Sequence, residues 1–143
     1  MDAYKKILLV IDLTQDSELI GARAKAIAAC YQATIDLLHV VEYVPVEPIG
    51  EALLPAVQIE GELVARAKQR LHELAARLNL QDSLQTVETG SIKAEIIRIA
   101  RERKVDLIVL GSRERHGLAI LVNFTEDTVL HAAPCDVLAV RLH

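Results

Sequence analysis

Aromatic residues are scarce in this sequence: its 143 residues include one Phe, three Tyr and no Trp. Most of the 52% apolar content comes instead from Ile, Leu, Val and Ala. A chain of this length fits one domain, and aliphatic side chains are typical of sheets that helices cover on both faces. The composition therefore predicts an α/β protein with a single domain, residues 1–143.

Cysteine, positive charge and long apolar runs are also limited. Cys30 and Cys135 lie in apolar surroundings without C-x-x-C spacing, and the five His residues lack the spacing of helical metal ligands, which predicts two buried thiols and no metal site. A net charge of -4 argues against a nucleic-acid partner. No apolar run reaches about 18 residues and no signal segment is evident, so we expect a cytoplasmic protein without membrane association.

Five segments have the composition of β-strands. Four are continuous apolar runs, as expected of buried parallel strands, whereas residues 84–88 mix polar and apolar side chains and suit the edge of a sheet. The predicted strands are residues 6–11, 34–41, 84–88, 106–110 and 136–141.

Helical patterns lie between the strands, at residues 17–31, 63–78, 91–103 and 118–132, the last stopped by Pro134. Residues 42–61 contain three prolines and are predicted to be a connection without continuous helix, acting as a lid or a partner-binding loop. Alternating strands and helices predict a doubly wound domain. Its five-stranded parallel sheet would have the order 3-2-1-4-5, with helices on both faces.

Such a sheet has its switch point between the first and fourth strands, where ligands bind at the carboxyl ends. Asp12 follows the first strand, and Gly111 and Ser112 follow the fourth. Asp12 can contact a ribose hydroxyl or an ammonium group, or it can satisfy N–H groups of its own turn. Gly111 and Gly117 offer conformational freedom and exposed N–H donors to an anion.

Charged side chains surround this predicted crevice. Arg113, Arg115 and His116 add cationic donors, whereas Glu114 repels phosphate, so either an anion site or a solvated loop fits the pattern. Ser112 and His116 are close in sequence, but no G-x-S-x-G nucleophile motif accompanies them. The sequence therefore predicts no catalytic residues and no enzyme activity.

Several segments together resemble the universal stress protein family, over essentially the whole chain. The matching segments are Tyr4 to Thr14, Ile35 to Val41, Gly90-Ser91, Val105 to Ser112 and Asp136 to Arg141. The resemblance implies an adenine nucleotide alpha hydrolase-like doubly wound fold and commonly a homodimer.

ATP-binding members of that family carry Gly, two residues, Gly, nine residues, then Gly-Ser or Gly-Thr. Gly111 matches the first glycine, but Glu114 occupies the second position, and Asn123 and Phe124 stand in the region of the final pair. These side chains would obstruct close approach of the backbone to phosphate. Asp12 and Val41 match positions that contact ribose and adenine in ATP-binding relatives. The chain is thus similar to the UspA-like branch, which generally lacks ATP.

The last predicted strand is an apolar sheet edge, which requires cover or pairing. We expect a two-fold dimer through it, centred on Val137, Leu138, Ala139 and Val140. The leading hypothesis is a non-enzymatic stress-response module, dimeric, without a cofactor, and with protein partners that the sequence does not identify. The alternative is an ATP- or AMP-binding sensor that uses the crevice at the carboxyl ends of strands 1 and 4, with or without slow hydrolysis.

Overall fold

The computed structural model describes residues 3–42, 53–113, 129 and 131–142. Strands and helices alternate along most of this part of the chain, as the sequence predicts. The elements are β1 (Lys6–Val10), α1 (Ser17–Tyr31), β2 (Thr34–Glu42), α2 (Leu53–Arg77), β3 (Gln85–Gly90), α3 (Ile92–Glu102), β4 (Leu107–Arg113) and β5 (Asp136–Leu142). Residues 129, 131 and 132 are helical, in agreement with the predicted fourth helix, and the rest of that segment lies outside the described residues.

The five strands form a parallel sheet in the order β3-β2-β1-β4-β5. Because successive side chains of a strand point to opposite faces, the central strand β1 contributes to two cores. Ile7 and Leu9 pack with residues of α1 and α2, and Leu8 packs with residues of α3. The predicted α/β class, strand order and doubly wound arrangement are confirmed.

The predicted connection over residues 42–61 is wrong in its second half, because α2 already begins at Leu53. Pro55 is the third residue of this helix, within the first turn, where a backbone N–H has no partner inside the helix. Gly61 lies in the helix interior and costs about 1 kcal/mol relative to alanine, which a 25-residue helix packed against the sheet tolerates. A lid or partner-binding role for residues 43–52, outside the described part, stays a prediction.

The amino ends of β1 and β4 are joined by one carboxylate. Asp106 Oδ2 accepts hydrogen bonds from the backbone N–H groups of Lys5 and Lys6, both at 2.9 Å. The Asp106 N–H donates in turn to the Lys6 carbonyl at 2.8 Å. This residue therefore fixes the register of the two central strands at the point where they begin.

We predict that Asp106→Ala lowers the free energy of unfolding by about 2 kcal/mol, because two backbone donors lose a charged acceptor. Urea denaturation of the variant and the parent protein measures this difference. Asp82→Ala is the matched control, since Asp82 is an exposed carboxylate in a loop. Equal destabilisation by the two substitutions would contradict the proposed role of Asp106.

Candidate functional site

The carboxyl ends of β2, β1 and β4 lie side by side and carry the predicted site residues. Val41 belongs to β2, Asp12 follows β1, and Gly111, Ser112 and Arg113 are the last three residues of β4. The sheet thus brings the first part of the predicted crevice to one edge. The other predicted residues, Glu114, Gly117, Asn123 and Phe124, lie outside the described part of the chain.

The Asp12 carboxylate organises the turn between β1 and α1. Its Oδ1 accepts hydrogen bonds from the Thr14 N–H at 3.1 Å, the Thr14 hydroxyl at 2.8 Å and the Ser17 hydroxyl at 3.3 Å. A short acidic side chain commonly satisfies its own turn in this way. Of the two roles considered for Asp12, the structure therefore supports the turn role for this oxygen, on a residue that is exposed at the sheet edge.

The two carbonyl groups that flank Asp12 are held by side chains from other elements. The Ile11 carbonyl lies 2.6 Å from His39 Nδ1 of β2, and the Leu13 carbonyl accepts a hydrogen bond from the Arg70 guanidinium of α2. Because a carbonyl only accepts, His39 must carry a proton on Nδ1. Leu13 has a φ of 62°, in the left-handed region that non-glycine residues rarely adopt. These contacts hold the turn in that unfavourable conformation.

Sequence reasoning missed His39 and Arg70 as residues that shape the site. His39 carried a usable signal, because it is a polar residue in the otherwise apolar run Leu37 to Val41. Arg70 carried none, since it falls among several charged residues on the polar side of α2. Its partner is a backbone carbonyl 57 positions earlier, a contact that only the packing of α2 against the β1–α1 turn creates.

Gly111 does not form the predicted exposed turn. The strand continues through it, and Gly111, Ser112 and Arg113 pair in register with Val140, Arg141 and Leu142 of β5. The predicted end of the strand at residue 110 is therefore wrong by three residues. The φ angle of Gly111 lies outside the left-handed region, so backbone freedom does not explain why this position is a glycine.

Close packing accounts for the glycine instead. A Cβ atom added at position 111 would lie 2.7 Å from Ile20 Cδ1 and 2.8 Å from Leu142 Cδ1. Ile20 and Leu142 are themselves buried, so neither can move freely away. The residue that matches the first glycine of the nucleotide motif thus has a structural role between α1 and β5.

The two cysteines differ from the prediction that both are buried. Cys30 is exposed, because it lies two positions beyond the buried Ala28, about 200° around α1. Cys135 is half-buried, and burial, followed by the nearby charges of Asp136 and Asp106, raises the pKa of its thiol. Cys135 is therefore protonated and weakly reactive at neutral pH.

Within the described residues, no three His, Cys, Asp or Glu side chains are placed to share a metal ion. No helix in that same part of the chain has both the length and the apolar character needed to cross a membrane.

The model of the universal stress protein family matches residues 3–141. The chain belongs to the universal stress protein family. Universal stress protein A homolog 2 of Coxiella burnetii is 40% identical over 143 residues, covering 99% of this chain and 98% of that protein. The solved structure of universal stress protein UspA from Lactobacillus plantarum has a TM-score of 0.76 and 27% identity, covering 96% and 98% of the two chains.

Another solved structure is described as a universal stress protein in complex with cAMP. It has a TM-score of 0.74 and 21% identity, and it covers 97% of this chain and 98% of its own. At that identity the likeness establishes the shared fold. The family resemblance read from the sequence is confirmed.

We predict that Gly111→Ala destabilises this universal stress protein by about 1–3 kcal/mol, because the added methyl group overpacks the contact with Ile20 and Leu142. Thermal and urea unfolding measure the change. Adding Ile20→Val, which removes the Ile20 Cδ1 atom, should recover part of the loss.

Gly61→Ala is the matched control, since nothing lies within 4 Å of a Cβ added there. A helix-interior glycine replaced by alanine should stabilise the protein by about 0.5–1 kcal/mol. If Gly111→Ala were equally stabilising, the packing role assigned to Gly111 would be wrong.

Proposed function

We propose that this universal stress protein is a cytoplasmic, non-enzymatic homodimer that acts as an interaction module and does not bind ATP tightly. The proposal rests on the environment of Gly111, which continues a paired strand and is enclosed by Ile20 and Leu142. Asp12 supports it, because one of its carboxylate oxygens is engaged by Thr14 and Ser17.

The sequence beyond β4 supports the same proposal. Glu114 replaces the second glycine of the nucleotide motif, and Phe124, after Asn123, stands where the glycine of the final pair falls. A carboxylate in a phosphate-binding loop adds like-charge repulsion, and a side chain in place of glycine keeps the phosphate from the backbone. A net charge of -4 is more compatible with protein partners than with a nucleic-acid partner.

The dimer is inferred from β5, the edge strand beside β4. Leu138 is 36% exposed and Ala139 is exposed, although both belong to an apolar strand. An exposed apolar edge favours pairing with a second chain, and a two-fold axis lets the same strand meet itself. Val137 is half-buried, while Val140 is 6% exposed and packs inside its own subunit, so it would contribute its backbone to the interface.

We predict that Leu138→Lys converts the dimer into a monomer, because a lysine at a sheet edge opposes pairing with another strand. Light scattering after gel filtration should give twice the 15.7 kDa chain mass for the parent protein and the single mass for the variant. Leu19→Lys is the matched control, an exposed leucine on α1, and it should leave the dimer intact. A monomeric parent protein, or equal dissociation by both variants, would contradict the proposed interface.

A sensor that binds ATP or AMP is the second candidate. Asp12, Val41 and Gly111 lie at the carboxyl ends of three adjacent strands, at the edge where ligands of open α/β sheets bind. The solved universal stress protein in complex with cAMP is consistent with an adenine nucleotide site in this fold. In this reading the protein is a nucleotide sensor, with or without slow hydrolysis.

Calorimetric titration with Mg-ATP separates the two candidates. We predict no measurable heat for the parent protein, and affinity in the double variant Glu114→Gly and Phe124→Gly, because these substitutions, with Thr125, restore the motif. Adding Asp12→Asn to the double variant keeps an oxygen acceptor for the turn and removes the charge, so it should weaken that binding. Micromolar binding by the parent protein would overturn the proposal and favour the sensor.

A further inference from the structure

The sheet has a second edge strand, β3, on the side opposite β5. Among the described residues, β3 pairs with β2 alone. Proteins commonly protect such an edge with lysine, with proline or with a bulge that interrupts the pairing. The six residues of β3 include neither lysine nor proline, and they pair with β2 in unbroken register. The outer side of β3 is therefore open to an added strand.

The pairing with β2 shows which backbone groups of β3 point outward. The Leu37 N–H donates to the Leu84 carbonyl at 2.8 Å, so residue 84 directs its backbone groups toward β2. Because backbone groups alternate sides along a strand, Gln85, Val87 and Thr89 direct their N–H and C=O groups outward. No described residue bonds to those groups. They form the row of donors and acceptors with which an extended peptide pairs.

The two faces of the sheet differ in chemistry beside this edge. Val87 packs against the core that α1 and α2 cover, so an apolar side chain lies next to the edge on that face. Glu88 lies on the opposite face, where it pairs with Arg98 of α3 at 3.6 Å. Neighbouring strands place side chains of the same face side by side. An added strand would therefore alternate apolar residues beside Val87 with residues that complement Glu88.

Negative charge predominates on the face of Glu88. Arg98 also pairs with Glu95 at 2.5 Å and with Glu102 at 3.1 Å, so three carboxylates share one guanidinium. We call these four residues the acidic ridge. The side chains of Glu88 and Glu102 are 36% and 58% exposed and can be reached by a partner.

Arg103 also reaches this face of β3, but it does not neutralise the acidic ridge. It donates a hydrogen bond to the Thr86 hydroxyl at 2.8 Å, and its Nη1 lies 3.7 Å from the Asp36 carboxylate. The Arg103 side chain is only 20% exposed. Lys6, which faces Asp36 at 3.9 Å, belongs to β1 and is separated from β3 by β2. These cations are thus engaged under α3, away from the outer edge.

The other two cations of α3 lie on different sides of the helix. Lys93 is two positions before Glu95, about 200° around the helix, and so lies on the flank away from β3. Arg101 is two positions after the buried Ile99 and points away from the sheet. The charge presented along the β3 edge is therefore that of the acidic ridge.

We propose that the outer edge of β3 binds an extended basic segment of a partner protein, in which apolar and cationic residues alternate. The segment joins the sheet as a further strand and bonds to the outward groups of Gln85, Val87 and Thr89. Its cationic side chains pair with the acidic ridge, and its apolar side chains lie beside Val87. This inference rests on the proposed interaction module, whose partner class it names, and it does not require the β5 dimer.

The probe is a capped peptide of about eight residues in which valine and lysine alternate, the length of a typical strand. In an NMR titration of the full chain, it should shift the amide signals of Gln85, Val87 and Thr89 saturably and slow their hydrogen exchange. The amides of Thr86 and Glu88 point to β2 and should exchange slowly without the peptide. Shifts without slower exchange at the outward amides would show electrostatic attraction alone and would overturn the proposal.

A peptide with glutamate in place of lysine tests the role of charge. It has the same capacity to pair with the backbone, but the acidic ridge repels it, so it should give no saturable shifts. Added salt should weaken the lysine peptide, because exposed charges are screened. Equal binding of the two peptides would contradict the assignment of a basic partner.

A proline substitution tests the strand pairing. Thr89→Pro removes one outward N–H and leaves the bonds to β2 in place, as edge strands tolerate, and it should weaken peptide binding about fivefold. Thr89→Val is the matched control, because it keeps the N–H and should bind like the parent protein. Equal affinity of the two folded variants would exclude strand addition at this edge.

A charge variant that leaves the backbone unchanged gives an independent test. Glu88→Gln should weaken binding of the lysine peptide about threefold, the effect of one exposed ion pair. Glu18→Gln is the matched control, since Glu18 also pairs with an arginine, Arg77 at 2.7 Å, but lies on α1. If both variants weakened binding equally, the peptide would not lie against the acidic ridge.

A second copy of this chain is the competing occupant of the edge. Slower exchange of the outward amides at higher protein concentration, without peptide, would show that β3 pairs with another copy and would overturn the proposal. Failure at β3 is also distinguishable from failure of the proposed function. Absence of peptide binding overturns this inference alone, whereas micromolar binding of Mg-ATP by the parent protein overturns the proposed function.

Discussion

Burial of β1 on both faces of the sheet is the constraint on which the rest of this structure depends. Ile7, Leu8 and Leu9 are fully buried, and parallel neighbours occupy both sides of the strand. A polar side chain in the middle of this strand would lose its hydration without a partner. Polar chemistry is therefore displaced to the ends of the strand, with Asp12 at one edge of the sheet and Lys6 at the other.

The second constraint is the contact among α1, β4 and β5 at Gly111. Extending β4 to Arg113 gives β5 a full-length partner and brings Leu142 against the glycine. Because β4 is extended there, its last residues do not form the open turn that a phosphate would require. We propose that this one packing arrangement both stabilises the edge of the sheet and weakens nucleotide binding in the crevice.

The sequence predicted the sheet because its signals are local: long apolar runs, helical stripes between them and a mixed strand at the edge. The sequence-based prediction failed where contacts between elements distant in sequence determine the structure. Proline spacing argued against a helix from Leu53, although Pro55 falls in the first turn, and Gly111 suggested a turn although β5 holds the strand extended. At the site, Asp12 was found from its place after β1, whereas the supports from His39 and Arg70 come from elements distant in sequence.

The proposed dimer edge, β5, pairs with β4, which belongs to the candidate site. β5 pairs with β4 as far as Arg113, so any partner that orders β5 also orders the last residues of β4. On the other side, Arg70 ties α2 to the turn after β1 through the Leu13 carbonyl. We propose that these two contacts hold the described part of the crevice in a fixed shape, as a recognition surface requires. Such a surface agrees with the interaction module proposed above.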